Sequence, residues 1–182
     1  MAKVTLATAR LSLVPVEHTD VDWLQRHWNL PGVRRYLWDD ETVPLDRVIE
    51  EIETSDEHFA TGGWGMWLLH VAGSLGEAGP GGMIGTCGLH DDLCDAEALG
   101  WPGAMVEVVF TIDPSLWNHG LAGEAGEAVL AHGHGSCGLS IIGGGHDREN
   151  VASGRVLSRI GMVPFGTVPS VLGPADYLIH RG

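Results

Sequence analysis

The sequence predicts a mixed α/β (α+β) fold, and two kinds of segment carry that prediction. Stretches with the alternating pattern of β-strands are interleaved with stretches in which apolar residues recur at the spacing of an amphipathic helix. The chain has 182 residues, of which 44% are hydrophobic and 19% are charged, so it can bury a core without disulfides or metal. Neither a repeat nor a linker composition divides it, and residues 1–182 are predicted to form one domain.

The amino-terminal half is predicted to hold one strand, a helical region and two further strands. Thr19 and Asp20 offer caps for the helical region, which Pro31 and Gly32 divide into two pieces. The predicted segments are a strand at Thr8–Val16, helices at 19–38 and Leu45–Ile52, and strands at Trp64–Val71 and Met83–Leu89 joined by the glycine-rich Gly73–Gly82.

The carboxy-terminal half is predicted to alternate strands and helices. Its first helix has an apolar stripe formed by Leu121, Ala125, Ala128 and Val129. The predicted segments are a polar loop at Asp91–Gly103, a strand at Met105–Ile112, a helix at Gly120–Ala131, a short strand at Leu139–Ile142, a helix at Asn150–Ile160 ended by Gly161, and short strands at Val163–Val168 and Asp176–His180.

The net charge and the cysteines limit which binding partners and which cellular compartment are expected. The formal net charge of −14 repels phosphate backbones, which argues against nucleic acid, and it attracts a cationic amine; acidity that only aids solubility is the alternative. Cys87, Cys94 and Cys137 are odd in number and lack CxxC spacing, which favours reduced thiols. Neither a membrane span nor a signal peptide is predicted, so a cytoplasmic protein is expected.

The turn between Asp113-Pro114 and the helix near Gly120 suits an anion. The first backbone N–H groups of a helix have no partner within the helix, the helix dipole adds partial positive charge, and glycine lets a ligand approach the backbone. An ordinary strand-to-helix connection is the alternative.

Glu107 places a charge in the middle of an apolar strand. Period two puts Met105, Glu107, Val109 and Thr111 on one face, and a lone carboxylate there is costly to bury unless it is solvated or paired. In a cleft, desolvation would raise the pKa of such a carboxyl toward the range useful to a general base. A salt bridge to an arginine, or an edge position facing solvent, would explain it without function.

Histidines near the end of the Gly120 helix do not form a metal motif. His132, His134 and His146 lack a regular ligand spacing, and no metal site is predicted. The pattern provides no physical account of the glycine-rich stretch that holds them.

Three segments in this order resemble the GNAT superfamily of acyl-CoA-dependent N-acyltransferases, and most closely its RimJ/RimL-type branch. The opening TARLSL is similar to that branch's Thr-x-Arg-Leu start. The segment WNHGLAGEA, residues 117–125, resembles the acyl-CoA pyrophosphate loop. The segment NVASGRVL, residues 150–157, with Ile160-Gly161-Met162, resembles the branch's N-x-x-S-x-R-V-L region.

The resemblance implies a fold, a donor and a set of site residues. The fold would be a mostly antiparallel twisted sheet of about six to seven strands, split around the acyl-CoA cleft and flanked by about four helices. Glu107 would be the base that acts on the substrate ammonium, and Ser153 or water would serve the leaving thiolate, because Leu157 stands where many members have an acidic tyrosine. Acetyl-CoA would be held by Val109, Phe110, Thr111, Asn118, His119, Gly120, Leu121, Ala122, Gly123, Asn150 and Ser153. Asn150 is also predicted to cap its helix.

The chain departs from the family at two loop positions. Asn118 replaces a usual glycine, and Gly123 replaces a usual threonine whose hydroxyl helps to hold phosphate. On the acceptor side Trp28, Trp38 and His90 are expected to contact the substrate, with His90 as a second candidate base; for most of the tryptophans, simple packing of helices on the sheet is the alternative.

The predicted function is transfer of an acetyl group from acetyl-CoA to a primary amine. The acceptor would be a peptide N-terminus or a small cationic amine such as an aminoglycoside, with no nucleic acid, membrane or metal involved. A homodimer is expected from family likeness alone. The alternatives are a non-catalytic acyl-CoA-binding or sensory domain, motivated by Asn118 and Gly123, and a structural protein with a vestigial cleft.

Overall fold

Residues 3–71, 82–91 and 96–182, the part of the chain that the computed structural model describes, form one eight-stranded sheet and five α-helices. The strands are β1 (Leu6–Ala7), β2 (Leu11–Pro15), β3 (Met66–Val71), β4 (Met83–His90), β5 (Glu107–Ile112), β6 (Ile141–Asp147), β7 (Val163–Ser170) and β8 (Gly173–Arg181). The helices are α1 (Val21–Trp28), α2 (Pro31–Leu37), α3 (Leu45–Gly62), α4 (Leu121–Gly135) and α5 (Val151–Arg159).

The sheet is antiparallel except at one place. Its strand order is β1-β2-β3-β4-β5-β6-β8-β7, and only the β5–β6 pair is parallel. The mixed α/β class and the mostly antiparallel sheet are therefore confirmed. The predicted counts of six to seven strands and four helices are wrong by one each, because the described part of the chain holds eight and five.

Two local features explain the extra elements. The strand predicted at Thr8–Val16 is β2, and it is preceded by β1, which lies before the predicted segment and pairs with β2 in a hairpin through Leu6 and Leu13. The first arm, β1, is only two residues long, which is too short for an alternating pattern to reveal it. Pro31 begins α2 and separates it from α1, so the predicted two-piece helical region is two helices.

Helices cover the two faces of the sheet with separate apolar clusters. On one face α4 packs against β4 and β5, and its predicted stripe is buried there through Leu121, Ala125 and Val129. On the other face α1 and α3 pack through Leu24, Val48 and other apolar residues against β3. Each face of β5 therefore meets a different set of helices, which fixes the direction of its alternating side chains.

Strand β6 corrects the prediction of a short strand at Leu139–Ile142. It runs from Ile141 to Asp147 through three consecutive glycines, Gly143 to Gly145. A Cβ atom on Gly143 would meet the sulfur of Met105, one on Gly144 would lie 3.0 Å from Leu157, and one on Gly145 would lie 2.6 Å from Tyr177. The glycine run is therefore a crowded strand and not a loose loop.

Several other predicted bounds shift. Helix α3 extends ten residues beyond the predicted end at Ile52, to Gly62, and closes on Gly63 with a left-handed φ of 76°. Nearly all of the predicted Gly73–Gly82 connection, and part of the Asp91–Gly103 loop with Cys94, lie outside the described residues. Cys87 and Cys137 are free thiols. None of the helices in the described ranges is long and apolar enough to cross a membrane.

Candidate active site

The sheet splits between its two parallel strands. β5 and β6 share one bridge, Glu107 with Gly143, and diverge beyond it. Val109 and Phe110 follow on β5 and are half-exposed on opposite faces, although β5 lies near the middle of the sheet. The split therefore leaves a cleft along one edge of β5, next to the start of α4.

The hydrogen-bond alternation of β5 decides which backbone groups face this cleft. The N–H of Asp113 donates to Ile84 on β4, whereas the carbonyl oxygen of Val106 accepts from Gly143 and that of Ile112 accepts from the indole of Trp117. Even-numbered residues of β5 therefore turn their backbone groups toward β6, and odd-numbered ones turn toward β4.

This alternation refines the predicted cofactor contacts on β5. The backbone of Phe110 faces the cleft, so its N–H and C=O groups are placed to bond a ligand lying along the open edge. The backbones of Val109 and Thr111 face β4, so a contact of either residue with the cofactor would not use backbone groups at this edge. Phe110 is accordingly the stronger candidate of the three.

Residues 117–123, called the anion loop below, comprise the last part of the β5–α4 connection and the first three residues of α4. Asn118 and Gly120 adopt left-handed φ angles of 65° and 74°, and Gly120 is the N-cap of α4. Asn tolerates this conformation better than most residues, which explains how the loop keeps its shape without the usual glycine. Asn118, His119 and Gly120 are all exposed, so the unpaired N–H groups at the helix start are accessible to an anion.

Helix α2 reaches both sides of the split. A Cβ on Gly32 would lie 2.8 Å from the indole of Trp117 in the anion loop. The guanidinium of Arg35 bonds the carboxylate of Glu149, which precedes α5, at 2.9 Å. The helix thus contacts both the anion loop and the segment that precedes α5.

Glu107 lies at the base of the split, on the face of β5 that α1 and α3 cover. It is 2% exposed, its register partner on β4 is His90, and its Cγ would be 3.2 Å from a Cβ on Gly143. The glycine on β6 therefore makes room for the glutamate side chain. Val109 is the half-exposed residue on this face, between Glu107 and Thr111.

On the same face of β5, Thr111 belongs to a buried hydrogen-bond network that includes His27. The Nε2 atom of His27 lies 2.9 Å from the Thr111 hydroxyl, which in turn lies 2.8 Å from the hydroxyl of Thr86. His27 is 3% exposed and stacks on Trp23. Burial lowers the pKa of His27 to about 4, against an opposing attraction from Asp113, so the imidazole is neutral at pH 7.

This histidine makes stability depend on pH. The pKa of His27 is about 4 in the folded chain and near 6.5 when unfolded, so acid protonates the unfolded state first. Its contribution is complete above pH 6.5 and is lost as the pH falls toward 4. Between pH 7 and 4.5 the wild type should lose about 2–3 kcal/mol more of its unfolding free energy than His27→Gln.

Urea unfolding at both pH values measures this difference. The matched control is His18→Gln, because His18 is exposed. Parallel pH dependence of the wild type and His27→Gln would contradict the assignment.

The start of α5 adds two polar groups near the split. Asn150 caps the helix, its side-chain oxygen accepting from the N–H of Ser153 at 3.3 Å, so the predicted cap is confirmed. A ligand contact by Asn150 would therefore use the amide nitrogen. Ser153 is half-exposed, whereas Leu157 and Ile160 are buried in the cluster that α4 also joins.

The predicted acceptor contacts fall into different environments. Trp28 is 1% exposed inside the cluster under α1 and α3, so it packs the core and does not line an open surface. Trp38 is half-buried beside it, with the guanidinium of Arg47 5.6 Å from the centre of its ring. His90 is half-buried, and its Nε2 lies 3.4 Å from the carboxylate of Glu51 on α3.

The histidines of the glycine-rich stretch lie apart from one another. His132 donates to the carbonyl oxygen of Gly63, His134 pairs with His180, and His146 bonds the backbone of Asp147. Within residues 3–71, 82–91 and 96–182, no group of three or more His, Cys, Asp or Glu side chains is arranged to hold a metal ion.

Sequence reasoning missed two residues that hold the anion loop. Glu124 on α4 accepts hydrogen bonds from the hydroxyl of Thr8 and from the backbone and side chain of Arg10. The same arginine donates to the carbonyl oxygen of His119 at 2.9 Å. Thr8 and Arg10 belong to the TARLSL segment, so two motifs more than 100 residues apart meet at this loop. In the sequence, the presence of both motifs in one chain was the only indication of this contact.

Comparison with known proteins identifies the class to which this cleft and fold belong. Residues 10–163 match the acetyltransferase (GNAT) domain. The chain belongs to this family, and it is an acetyltransferase of the GNAT class; the family uses acetyl-CoA.

Individual relatives agree with this assignment. An uncharacterized N-acetyltransferase of Bacillus subtilis is 33% identical over 86 residues, which is 47% of this chain and 45% of that protein's own length. A GNAT-family acetyltransferase structure from Bordetella pertussis covers 98% of this chain and 100% of its own at 20% identity, with a TM-score of 0.78. The RimL ribosomal L7/L12 α-N-protein acetyltransferase in complex with coenzyme A covers 98% of each chain at 12% identity, with a TM-score of 0.75.

Proposed function

We propose that this acetyltransferase transfers the acetyl group of acetyl-CoA to a primary amine, either a peptide N-terminus or a small cationic amine such as an aminoglycoside. One observation carries the proposal. Strand β5 has an open backbone edge toward β6, beside the anion loop. On the face of β5 that α1 and α3 cover, the half-exposed Val109 lies next to the buried carboxylate of Glu107. Donor and acceptor sites are thus built on the two sides of a single strand.

The donor side fits a CoA thioester. The anion loop, from the exposed Asn118, His119 and Gly120 through Gly123, would hold the pyrophosphate with backbone N–H groups at the start of α4. The backbone of Phe110 would bond the extended pantetheine arm as a neighbouring strand would, and Asn150 and Ser153 lie at the start of the helix that follows the split. Bound there, the thioester supplies an activated acetyl group.

The acceptor side supplies the proton chemistry. An amine attacks only when it is neutral, so the proton of an arriving ammonium must leave before the C–N bond forms. Glu107 would accept that proton directly or through a water, and His90, its register partner, is the second candidate. The N–H of Phe110 faces the cleft and would donate to the carbonyl oxygen on which negative charge develops.

The departing thiolate must take up a proton, and Ser153 has less support as the donor than Glu107 has as the base. Ser153 is half-exposed at the first turn of α5, and its hydroxyl makes no hydrogen bond to its own helix in the described part of the chain. It would protonate the leaving sulfur, directly or through a water, in place of the tyrosine that Leu157 replaces.

Charge supports a cationic acceptor. The net charge of −14 raises the local concentration of amines, and carboxylates of Glu51 and Glu107 adjoin the acceptor face. Ribosomal-protein acetyltransferases are among the structural neighbours, which favours a peptide N-terminus as the first acceptor to test. A cytoplasmic location and a homodimer stay predictions from the sequence.

The deciding experiment is calorimetric titration with acetyl-CoA, followed in the same sample by thiol release against amines and N-terminal peptides. Binding with turnover supports the enzyme and begins to identify the acceptor. Binding without turnover against any acceptor favours the alternative, a non-catalytic acyl-CoA sensor. Absence of binding would overturn the donor site.

Restoring a hydroxyl at Gly123 should tighten acetyl-CoA binding. The loop lacks the threonine that the resemblance predicts there. Among the described residues a Cβ on Gly123 would meet only Ile160, at 4.0 Å, so the larger side chain fits. One added hydrogen bond should lower the Kd of acetyl-CoA for Gly123→Thr by about three- to tenfold, measured by calorimetry.

The matched control is Gly123→Val, which has the same shape and branching without the hydroxyl. It separates the hydrogen bond from any stabilisation of the helix start. Equal affinities of the two variants would contradict a phosphate at this position.

A further inference from the structure

We propose that Arg10 is a positioning residue for the donor site, holding the peptide between His119 and Gly120 so that the N–H of Gly120 points into the cleft. The inference rests on the proposed function, because the anion loop matters only if it holds the pyrophosphate of acetyl-CoA. It assigns a task to the TARLSL segment, whose importance the sequence indicated only by resemblance.

Arg10 bonds both the anion loop and the residue that follows it on α4. Its Nε atom bonds Glu124 at 2.6 Å, and its backbone N–H bonds the other oxygen of the same carboxylate at 2.8 Å. Its Nη1 atom donates to the carbonyl oxygen of His119 at 2.9 Å. Both ends of the turn that begins α4 are therefore tied to one guanidinium.

The carbonyl contact has a directional consequence. In a planar trans peptide the C=O and the following N–H point in opposite directions. Because Arg10, in the turn between β1 and β2, holds the oxygen of His119 toward that turn, the N–H of Gly120 points the other way. The strands β2 and β6 lie on opposite sides of β5 in the sheet order, so that direction is the cleft side.

Without this restraint the loop can reverse the peptide. Gly120 has no Cβ, so the flip meets little steric resistance. The flipped form would aim a carbonyl oxygen at the pyrophosphate and repel it. The grip of Arg10 therefore selects the conformation that binds an anion.

The carboxylate of Glu124 holds the guanidinium of Arg10 in the position from which it reaches His119. Burial opposes its charged form, but the hydrogen bonds from Thr8 and Arg10 prevail, so the pKa of this carboxyl lies below its usual range. The acid stays ionised at pH 7 and keeps the guanidinium in place. A lysine could not serve as well, because its single ammonium lacks the fork that reaches two acceptors at once.

The test compares a donor that has the pyrophosphate with one that lacks it. Arg10→Met keeps much of the side-chain length and removes the donors. Its kcat/KM should fall by about tenfold or more with acetyl-CoA, while with S-acetylpantetheine it should stay within about twofold of wild type. The Kd values of CoA and pantetheine, by calorimetry, should separate in the same way.

Two further variants guard against damage to the fold. Arg10→Lys keeps the charge and should show a smaller loss with the same dependence on the donor. Arg148→Met is the matched control: Arg148, which follows β6, holds Asp176 of β8 through two bonds of 2.9 and 2.6 Å, so its loss removes a similar ion pair that has no bond to the anion loop among the described residues. It should bind CoA like the wild type.

Each outcome decides the matter. A loss confined to donors with the pyrophosphate supports the inference. Equal losses with both donors would make Arg10 a general stabilising residue, and unchanged affinity would remove its role; either result overturns the inference and leaves the proposed function standing. Failure of the wild type to bind CoA would overturn both.

Discussion

Replacing Glu107 by Gln is expected to lower kcat by about 10²- to 10⁴-fold, the usual contribution of a general base. The amide keeps the size and most of the packing of the side chain, which is 2% exposed beside Gly143, but it cannot accept the ammonium proton. The Kd of acetyl-CoA should stay within about twofold of wild type, because a donor bound along the edge of β5 does not depend on this charge. Steady-state thiol release and calorimetry measure the two quantities.

The pH profile adds a second signature of the lost base. Without Glu107 the rate should follow the fraction of amine that is already neutral in solution, so it should rise about tenfold per pH unit below the amine's pKa. The control is Glu127→Gln on α4, which removes an exposed carboxylate from the opposite face of the sheet and should leave both kcat and Kd unchanged.

Two results would contradict this assignment. A larger loss in His90→Gln than in Glu107→Gln would transfer the role to the histidine, which is the register partner on β4 and lies 3.4 Å from Glu51. Full activity in Glu107→Gln would leave the reaction to positioning alone, as a preorganised cleft can do for a neutral amine.

Much of the fold follows from local patterns. The alternation over β5, the apolar stripe of α4 and the Asn150 cap of α5 are all statements about residues a few positions apart, and the structure confirms them. Patterns of this kind are set by burial on one face, so they are present in the sequence itself.

The glycine run in β6 shows where such reasoning fails. Glycine weakens an isolated strand, so three in a row predict a loop. Here the run is fixed by neighbours from distant parts of the chain, because Met105, Leu157 and Tyr177 occupy the space that side chains would need. Tertiary packing overrides local preference, and a single sequence does not record which residues will be neighbours.

The candidate site likewise contains some residues that local patterns predicted and others that they did not. Glu107 and the anion loop were found because a charge in an apolar strand and a glycine at a helix start are local anomalies. The sequence did not predict that the backbone of Phe110 faces the cleft. That direction depends on whether the odd-numbered or the even-numbered residues of β5 form backbone hydrogen bonds with β4. The links from Arg10 to Glu124 and from His27 to Thr111 span more than 80 positions and have no local signature.

Replacing Gly85 by Ala is expected to destabilise the protein by about 2–4 kcal/mol, the range for overpacking against groups that cannot move aside. Gly85 lies on β4 opposite Ile112, and a Cβ there would overlap the carbonyl oxygen of Thr111 and lie 3.0 Å from Cα of Ile112. Both are backbone atoms, so no change of rotamer relieves the clash. Urea unfolding at pH 7 measures the loss.

The matched control is Gly135→Ala at the exposed end of α4, where an added Cβ has nothing within 4 Å. This variant should be neutral or gain up to about 1 kcal/mol, because alanine loses less backbone entropy in a helix. Equal stability of Gly85→Ala and wild type would mean that β4 and β5 do not approach as closely as described. The clash also bears on function, because relief requires β5 to move away from β4. That movement would displace Phe110 and Glu107 together, so Gly85→Ala should lose activity at temperatures where it is still folded.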